Sequence, residues 1–124
     1  MAATSLYIVE DDEIYAQFLK ANFKNEYNVL TFVTAEDCLE ALKEVTPEVM
    51  ILDYNLPGMS GIDLYDELKS KFTNTKFIML SSIDDGTQVL AFIKKGVNDY
   101  VVKDDNVITS LKMVLKEGDR FSVN

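Results

Sequence analysis

The chain has 124 residues, 48% of them hydrophobic, enough to bury a core without disulfide or metal staples, and is expected to form one domain over residues 1–124. A surplus of acid, 21 Asp and Glu against 12 Lys and Arg with a formal net charge of -9, argues against direct nucleic-acid binding by this domain, because phosphate backbones are gripped by clustered cations. A lone cysteine, Cys38, excludes an internal disulfide, the lack of histidine removes the commonest general base and zinc ligand, and no apolar run reaches membrane-spanning length, so a cytoplasmic chain without a membrane anchor is expected.

In chain order, Leu6-Tyr7-Ile8-Val9 reads as a strand buried on both faces, and it runs straight into Glu10-Asp11-Asp12. Asp12 or a neighbour caps a helix with Ile14, Phe18 and Ala21 on its inner side, joined by Leu19 and Phe23. Tyr27 to Phe32 has strand composition. Thr34-Ala35-Glu36-Asp37 opens a helix to about Glu44 whose inner face is Ala35, Cys38, Leu39 and Leu42, which makes Cys38 a small core residue.

Val49-Met50-Ile51-Leu52 is the clearest buried strand; Asp53 ends it, and a Pro-Gly turn follows within Tyr54-Asn55-Leu56-Pro57-Gly58-Met59-Ser60-Gly61. A helix from about Gly61 to Phe72 turns Ile62, Tyr65, Leu68 and Phe72 inward. Lys76 to Leu80 is the next strand and ends in Ser81-Ser82. Asp84-Asp85-Gly86 then leads into a helix with Val89, Leu90 and Ile93 inside, closed by Gly96. Asp99-Tyr100-Val101-Val102 is a short strand ending in Lys103, and a last helix from Asp105 to about Glu117 carries Val107, Ile108, Leu111, Val114 and Leu115 inward. The tail from Gly118 to Asn124 shows no clear element.

Buried strands alternating with helices imply a parallel sheet covered on both faces. All carboxyl ends of its strands then share one edge, where open α/β folds bind ligands. That edge collects Glu10, Asp11, Asp12, Asp53, Ser81 and Lys103. Carboxylates about 4 Å apart repel by about 4 kcal/mol at an effective dielectric of about 20. Protonation of one carboxyl or a divalent cation would offset this, and oxygen-only ligands select Mg²⁺, Mn²⁺ or Ca²⁺, with Mg²⁺ favoured beside phosphoryl groups. A carboxylate nucleophile with a cation, a hydroxyl and an ammonium makes a phosphoryl-transfer site in which Asp53 attacks phosphorus and Ser81 and Lys103 neutralise its oxygens.

In order and spacing, Val9-Glu10-Asp11-Asp12, Leu52-Asp53-Tyr54-Asn55-Leu56-Pro57-Gly58-Met59-Ser60-Gly61, Met79-Leu80-Ser81-Ser82 and Asp99-Tyr100-Val101-Val102-Lys103 resemble the motifs of response-regulator receiver domains of two-component signalling. The resemblance covers essentially the whole chain. It implies an α/β flavodoxin-like (βα)5 fold, a doubly wound parallel five-stranded sheet of order 2-1-3-4-5, acting as a switch rather than an enzyme. It further implies phosphorylation of Asp53 from a phosphohistidine on a sensor histidine kinase or phosphotransfer protein, Mg²⁺ (with Mn²⁺ as the alternative) held by Glu10, Asp11, Asp53 and the backbone carbonyl of Asn55, and Asp12 as the helix cap. By the same likeness Ser81 bonds the phosphoryl group, Lys103 is its ammonium partner, Tyr100 is the aromatic switch residue, and the output is a downstream protein target or a fused output domain, with a phosphorylation-dependent dimer as a further expectation.

One position departs from the family pattern. Proline usually follows the lysine, often through a cis peptide, whereas Asp104 stands here; a cis bond before a non-proline costs roughly 3 kcal/mol, so a trans peptide and a different placement of Lys103 are expected alternatives. Three competing readings remain at this point: a haloacid-dehalogenase-like phosphatase, in which Asn55 stands where an acid is required; a nucleotide or flavin binder, which would need a phosphate loop where this chain has acids; and a degenerate receiver that binds partners without being phosphorylated.

Overall fold

The computed structural model describes residues 3–82 and 85–122. Its elements alternate: β1 (Thr4–Val9), α1 (Glu13–Phe23), β2 (Tyr27–Phe32), α2 (Ala35–Ala41), β3 (Val49–Asp53), α3 (Gly61–Leu68), β4 (Lys76–Ser81), α4 (Gly86–Lys94), β5 (Tyr100–Val102) and α5 (Val107–Ser122). The strands form one parallel sheet in the order β2-β1-β3-β4-β5, the expected flavodoxin-like arrangement. Asp84, expected at the start of the fourth helix, and Val123 and Asn124, expected in the tail, lie outside the described residues.

Strand periodicity divides the core in two. Tyr7, Val9, Met50, Leu52 and Met79 point to one face and pack with Ala35 and Cys38 of α2, Leu64 and Leu68 of α3 and Phe92 of α4. Leu6, Ile8, Ile51, Ile78, Leu80 and Val101 point to the other, against Leu19 and Phe23 of α1 and Val107, Leu111 and Leu115 of α5. Every residue of β3 is buried because helices cover both sides, which is why the strand reads as an unbroken apolar run. Each fully buried large side chain contributes about 1.5–3 kcal/mol of burial free energy, so both layers are needed.

Side chains at the helix starts fix the entry of each chain segment. Asp12 caps α1, accepting from the Ile14 and Tyr15 N–H groups at 3.0 and 3.1 Å. Thr34, Ser60 and Asp85 do the same for α2, α3 and α4.

Two helix faces differ from expectation. Ile14 is 85% exposed and Phe18 and Ala21 are also exposed, whereas Leu19 and Phe23 are buried as expected, together with Ala16. Its apolar residues spread over more than one stripe, so periodicity alone does not choose which one meets the sheet. In α4, Leu90 and Ile93 are exposed, the latter by 61%; Val89 is half-buried, and Gln88 and Phe92 face inward. Boundaries shift as well. The helical assignments of α2 and α3 end at Ala41 and Leu68, earlier than expected, and α5 begins at Val107 and continues through Gly118 to Ser122, where no element was expected. A single glycine weakens a helix by roughly 1 kcal/mol and does not by itself stop one.

Candidate functional site

The strand register brings the polar strand ends together. Val9 pairs with Leu52, Asp53 with Leu80 and Ser81 with Val102, so Glu10, Asp53, Ser81 and Lys103 emerge along one edge of the sheet. Glu10 is held like a strand residue, because its N–H donates to the Phe32 carbonyl at 2.9 Å. The Lys103 N–H donates to the Ser81 carbonyl at 2.9 Å, and the Tyr54 N–H to the Leu80 carbonyl at 3.0 Å, which extends the β4–β5 and β3–β4 ladders into the site.

At the centre, Lys103 Nζ lies 2.6 Å from Glu10 Oε1 and 3.1 Å from Asp53 Oδ2. Both acids are buried, Glu10 being 1% and Asp53 2% exposed. Asp11 is exposed and completes a group of three carboxylates whose oxygens come within 4.8 Å of one another. Asn55 donates its backbone N–H to Asp53 Oδ1 at 3.4 Å and its side-chain amide to Ser82 Oγ at 3.0 Å. The Ser81 hydroxyl is buried with no hydrogen-bond partner. Tyr100 stands apart on the outer surface, half-exposed, its ring 5.7 Å from that of Phe92.

Burial dominates the electrostatics. It pushes the Glu10 carboxyl up to about 7; the bond from Lys103 pulls it down, and the nearby Asp53 charge raises it again. The 2.6 Å ion pair alone would lower Glu10, so burial outweighs the lysine here. Burial also works against the Lys103 charge, but the bond to Glu10 and the Asp53 carboxylate outweigh it and hold its pKa above the ordinary lysine value.

The acids suit a hard divalent cation. They offer oxygen only, their span of 4.8 Å is near the ~4 Å between opposite ligands when Mg²⁺–oxygen distances are about 2.0–2.1 Å, and exposed Asp11 leaves room for the waters that Mg²⁺ retains.

Several neighbours carry no signal in the sequence. The Tyr15 ring lies under Lys103, with Nζ 4.7 Å from its centroid, a cation–π contact between α1 and the end of β5. Gln88 is buried on α4 and accepts the Ser82 N–H at 2.9 Å. Gly61 opens α3 so close to the site strand that a Cβ there would lie 1.9 Å from the Asp53 carbonyl oxygen. A glycine after Pro57 and Gly58 signals a turn; only the packing reveals this close approach. Among the described residues no cis peptide occurs, so the Lys103–Asp104 bond is trans and the lysine still reaches both acids.

A doubly wound sheet of order 2-1-3-4-5 with an acid cluster, a buried hydroxyl and a bridging lysine at its carboxyl edge defines a phosphoacceptor type of signalling domain rather than a nucleotide binder. Residues 6–114 match the response regulator receiver domain family, and the chain belongs to it. It is 30% identical to the chemotaxis protein CheY of Listeria monocytogenes over 88% of this chain and 97% of that protein. It is also 29% identical to the transcriptional regulatory protein AfsQ1 of Streptomyces coelicolor over 97% of this chain, which spans 55% of AfsQ1, about half that relative's length. Among solved structures it resembles the BeF3-activated receiver domain of DrrB, a Thermotoga maritima response regulator, with a TM-score of 0.80, 28% identity and coverage of 98% and 99% of the two chains. The chain is thus a receiver domain of two-component signalling, a phosphorylation-activated switch, and the phosphatase and flavin-binding readings fall. Among the described residues no helix is long and apolar enough to cross a membrane.

Proposed function

We propose that Asp53 is the phosphoacceptor, that Glu10, Asp11, Asp53 and the Asn55 carbonyl hold Mg²⁺, and that a sensor histidine kinase or phosphotransfer protein in the cytoplasm is the donor. The observation that carries this is the Lys103 ammonium bridging two buried acids at 2.6 and 3.1 Å beside a hydroxyl with no partner. A carboxylate nucleophile needs no general base, and Lys103 Nζ lies 3.1 Å from Asp53 Oδ2. Its oxygen attacks phosphorus, the phosphorus–nitrogen bond of the phosphohistidine breaks, and the electron pair leaves with the imidazole. Lys103 then turns from the carboxylate to a phosphoryl oxygen, and Ser81 offers its hydroxyl to another. When bound, Mg²⁺ would neutralise charge on the phosphoryl oxygens and offset the repulsion among the acids.

The product carries about two new negative charges in a buried site. Movement of Ser81 toward them draws on β4 and α4, whose outer residues Leu90 and Ile93 lie with Tyr100 among the exposed large hydrophobics. This face is the proposed contact for a downstream protein or a fused output domain, or for a second phosphorylated copy.

The test is intact mass after incubation with acetyl phosphate and Mg²⁺, beside Asp53→Asn and a chelator control. A single phosphoryl adduct that requires Mg²⁺ and is lost in the variant is expected. No adduct despite demonstrated Mg²⁺ binding, with a phosphohistidine donor also failing, would refute the proposal in favour of a degenerate receiver.

A further inference from the structure

A chain of hydrogen bonds runs from the Asp53 carboxylate to the buried side of α4. The Asn55 N–H donates to Asp53 Oδ1 at 3.4 Å, Asn55 Nδ2 donates to Ser82 Oγ at 3.0 Å, and the Ser82 N–H donates to Gln88 Oε1 at 2.9 Å. Gln88 is 4% exposed, an amide on the helix face that also buries Phe92. Its own N–H is held by the cap residue Asp85 at 3.2 Å, so the first turn of α4 is fixed around it. A buried amide costs free energy unless it is hydrogen-bonded, and here its bond goes to the loop that must move.

The N–H that Gln88 grips belongs to the peptide joining Ser81 to Ser82. A shift of the Ser81 backbone that carries its partnerless hydroxyl toward a phosphoryl group on Asp53 would displace that peptide. We propose that Gln88 is a positioning residue: its side-chain oxygen latches the Ser81–Ser82 peptide in the resting state, and phosphorylation of Asp53 draws the peptide off the latch and so couples the site to α4. This rests on the phosphoacceptor reading of Asp53. The latch and its release are two arrangements of one element, biased at one end by the acceptor carboxylate and at the other by whatever engages Leu90 and Ile93. With the latch closed, only a fraction of the chains is poised to accept a phosphoryl group, and the apparent rate is lowered by that fraction.

The test uses the whole chain with acetyl phosphate and Mg²⁺ for rates, and beryllofluoride for the magnetic-resonance signals of the Gln88 side-chain amide. Gln88→Met keeps the volume and removes the acceptor; Gln88→Glu keeps an acceptor oxygen. Phosphorylation of Gln88→Met is expected to be about fivefold faster or more, with Gln88→Glu returning toward the wild-type rate. In the wild-type chain, beryllofluoride is expected to shift the side-chain amide resonances of Gln88, as its oxygen loses the Ser82 N–H. This arm does not depend on any variant folding. A wild-type chain that takes beryllofluoride with the Gln88 side-chain amide resonances unmoved overturns the latch alone, as does a folded Gln88→Met that reacts at the wild-type rate. A wild-type chain that takes neither beryllofluoride nor a phosphoryl group overturns the phosphoacceptor reading and the latch with it.

Discussion

Replacing Asp53 by Asn is expected to stabilise the metal-free chain, although it removes an ion-paired residue from a buried site. Asp53 is 2% exposed and has carboxylate oxygens of Glu10 and Asp11 within 4.8 Å, against a single ammonium, Lys103 Nζ, at 3.1 Å. At an effective dielectric of about 20, each repulsion at that separation is about 3.5 kcal/mol and the attraction to Lys103 about 5 kcal/mol. Two repulsions therefore exceed one attraction by about 2 kcal/mol. Screening of the exposed Asp11 trims this, while release from burying an ionised carboxylate adds to it. Lys103 keeps its 2.6 Å bond to Glu10 in the variant, so no cation is stranded.

The assay is urea unfolding followed by circular dichroism at pH 8, in EDTA and then in Mg²⁺. In EDTA, Asp53→Asn is expected to exceed the wild-type chain by about 1–2 kcal/mol. Saturating Mg²⁺ should close or reverse the gap, because a ligand at a hundred times its dissociation constant adds about 2.7 kcal/mol to the chain that binds it and nothing to one that does not. A variant no more stable than wild type in EDTA, or equal Mg²⁺ stabilisation of both chains, would refute the account of a site strained by like charge.

Three further outcomes follow from the same geometry. Because burial holds Glu10 near 7 against an ordinary 4.5, the folded chain keeps a proton that the unfolded chain releases across that window. Metal-free stability should accordingly decline as pH rises from about 4.5 to 7, and Mg²⁺ affinity measured by titration calorimetry should fall by up to about tenfold per pH unit below 7; a flat affinity from pH 6 to 8 would contradict this. Gly61→Ala would place a Cβ 1.9 Å from the Asp53 carbonyl oxygen, so a loss of at least about 3 kcal/mol in urea unfolding and loss of phosphoryl acceptance are expected, and a silent substitution would show that α3 is free to shift. Cys38 is fully buried and its thiol is pushed up to about 12 by that burial, so a thiol reagent at pH 8 should label it only after unfolding.

The fold was legible because both faces of the central strands are covered. Val49 to Leu52 and Leu6 to Val9 are unbroken apolar runs for that reason, and the polar residue that ends each one marks the edge where the helices no longer cover it. Helix orientation was less legible. α1 carries Ile14, Tyr15, Ala16, Phe18, Leu19, Ala21 and Phe23, too many apolar residues for one stripe, and only docking on the sheet selects Ala16, Leu19 and Phe23. α4 hides a polar residue, Gln88, whose side chain accepts the Ser82 N–H, and exposes Leu90 and Ile93, the inverse of what hydropathy suggests. Asp53, Ser81 and Lys103 could be found since strand ends converge by topology. Tyr15, Ser82 and Gln88 could not, since their roles arise from contacts between residues far apart in the chain.

Asp104 shows how a local departure can leave the site intact. A proline at this position would lack an N–H; Asp104 has one and donates it to the Val102 carbonyl at 2.8 Å. Its carboxylate also accepts the Asn106 N–H at 2.9 Å, turning the chain toward α5. The bond from the Lys103 N–H to the Ser81 carbonyl then holds the lysine backbone on the β4–β5 ladder, and the Tyr15 ring lies beneath its ammonium. Lys103 is placed by strand register from one side and by an aromatic platform from the other. With those two constraints a trans peptide suffices, and the residue after the lysine is left free to shape the start of α5.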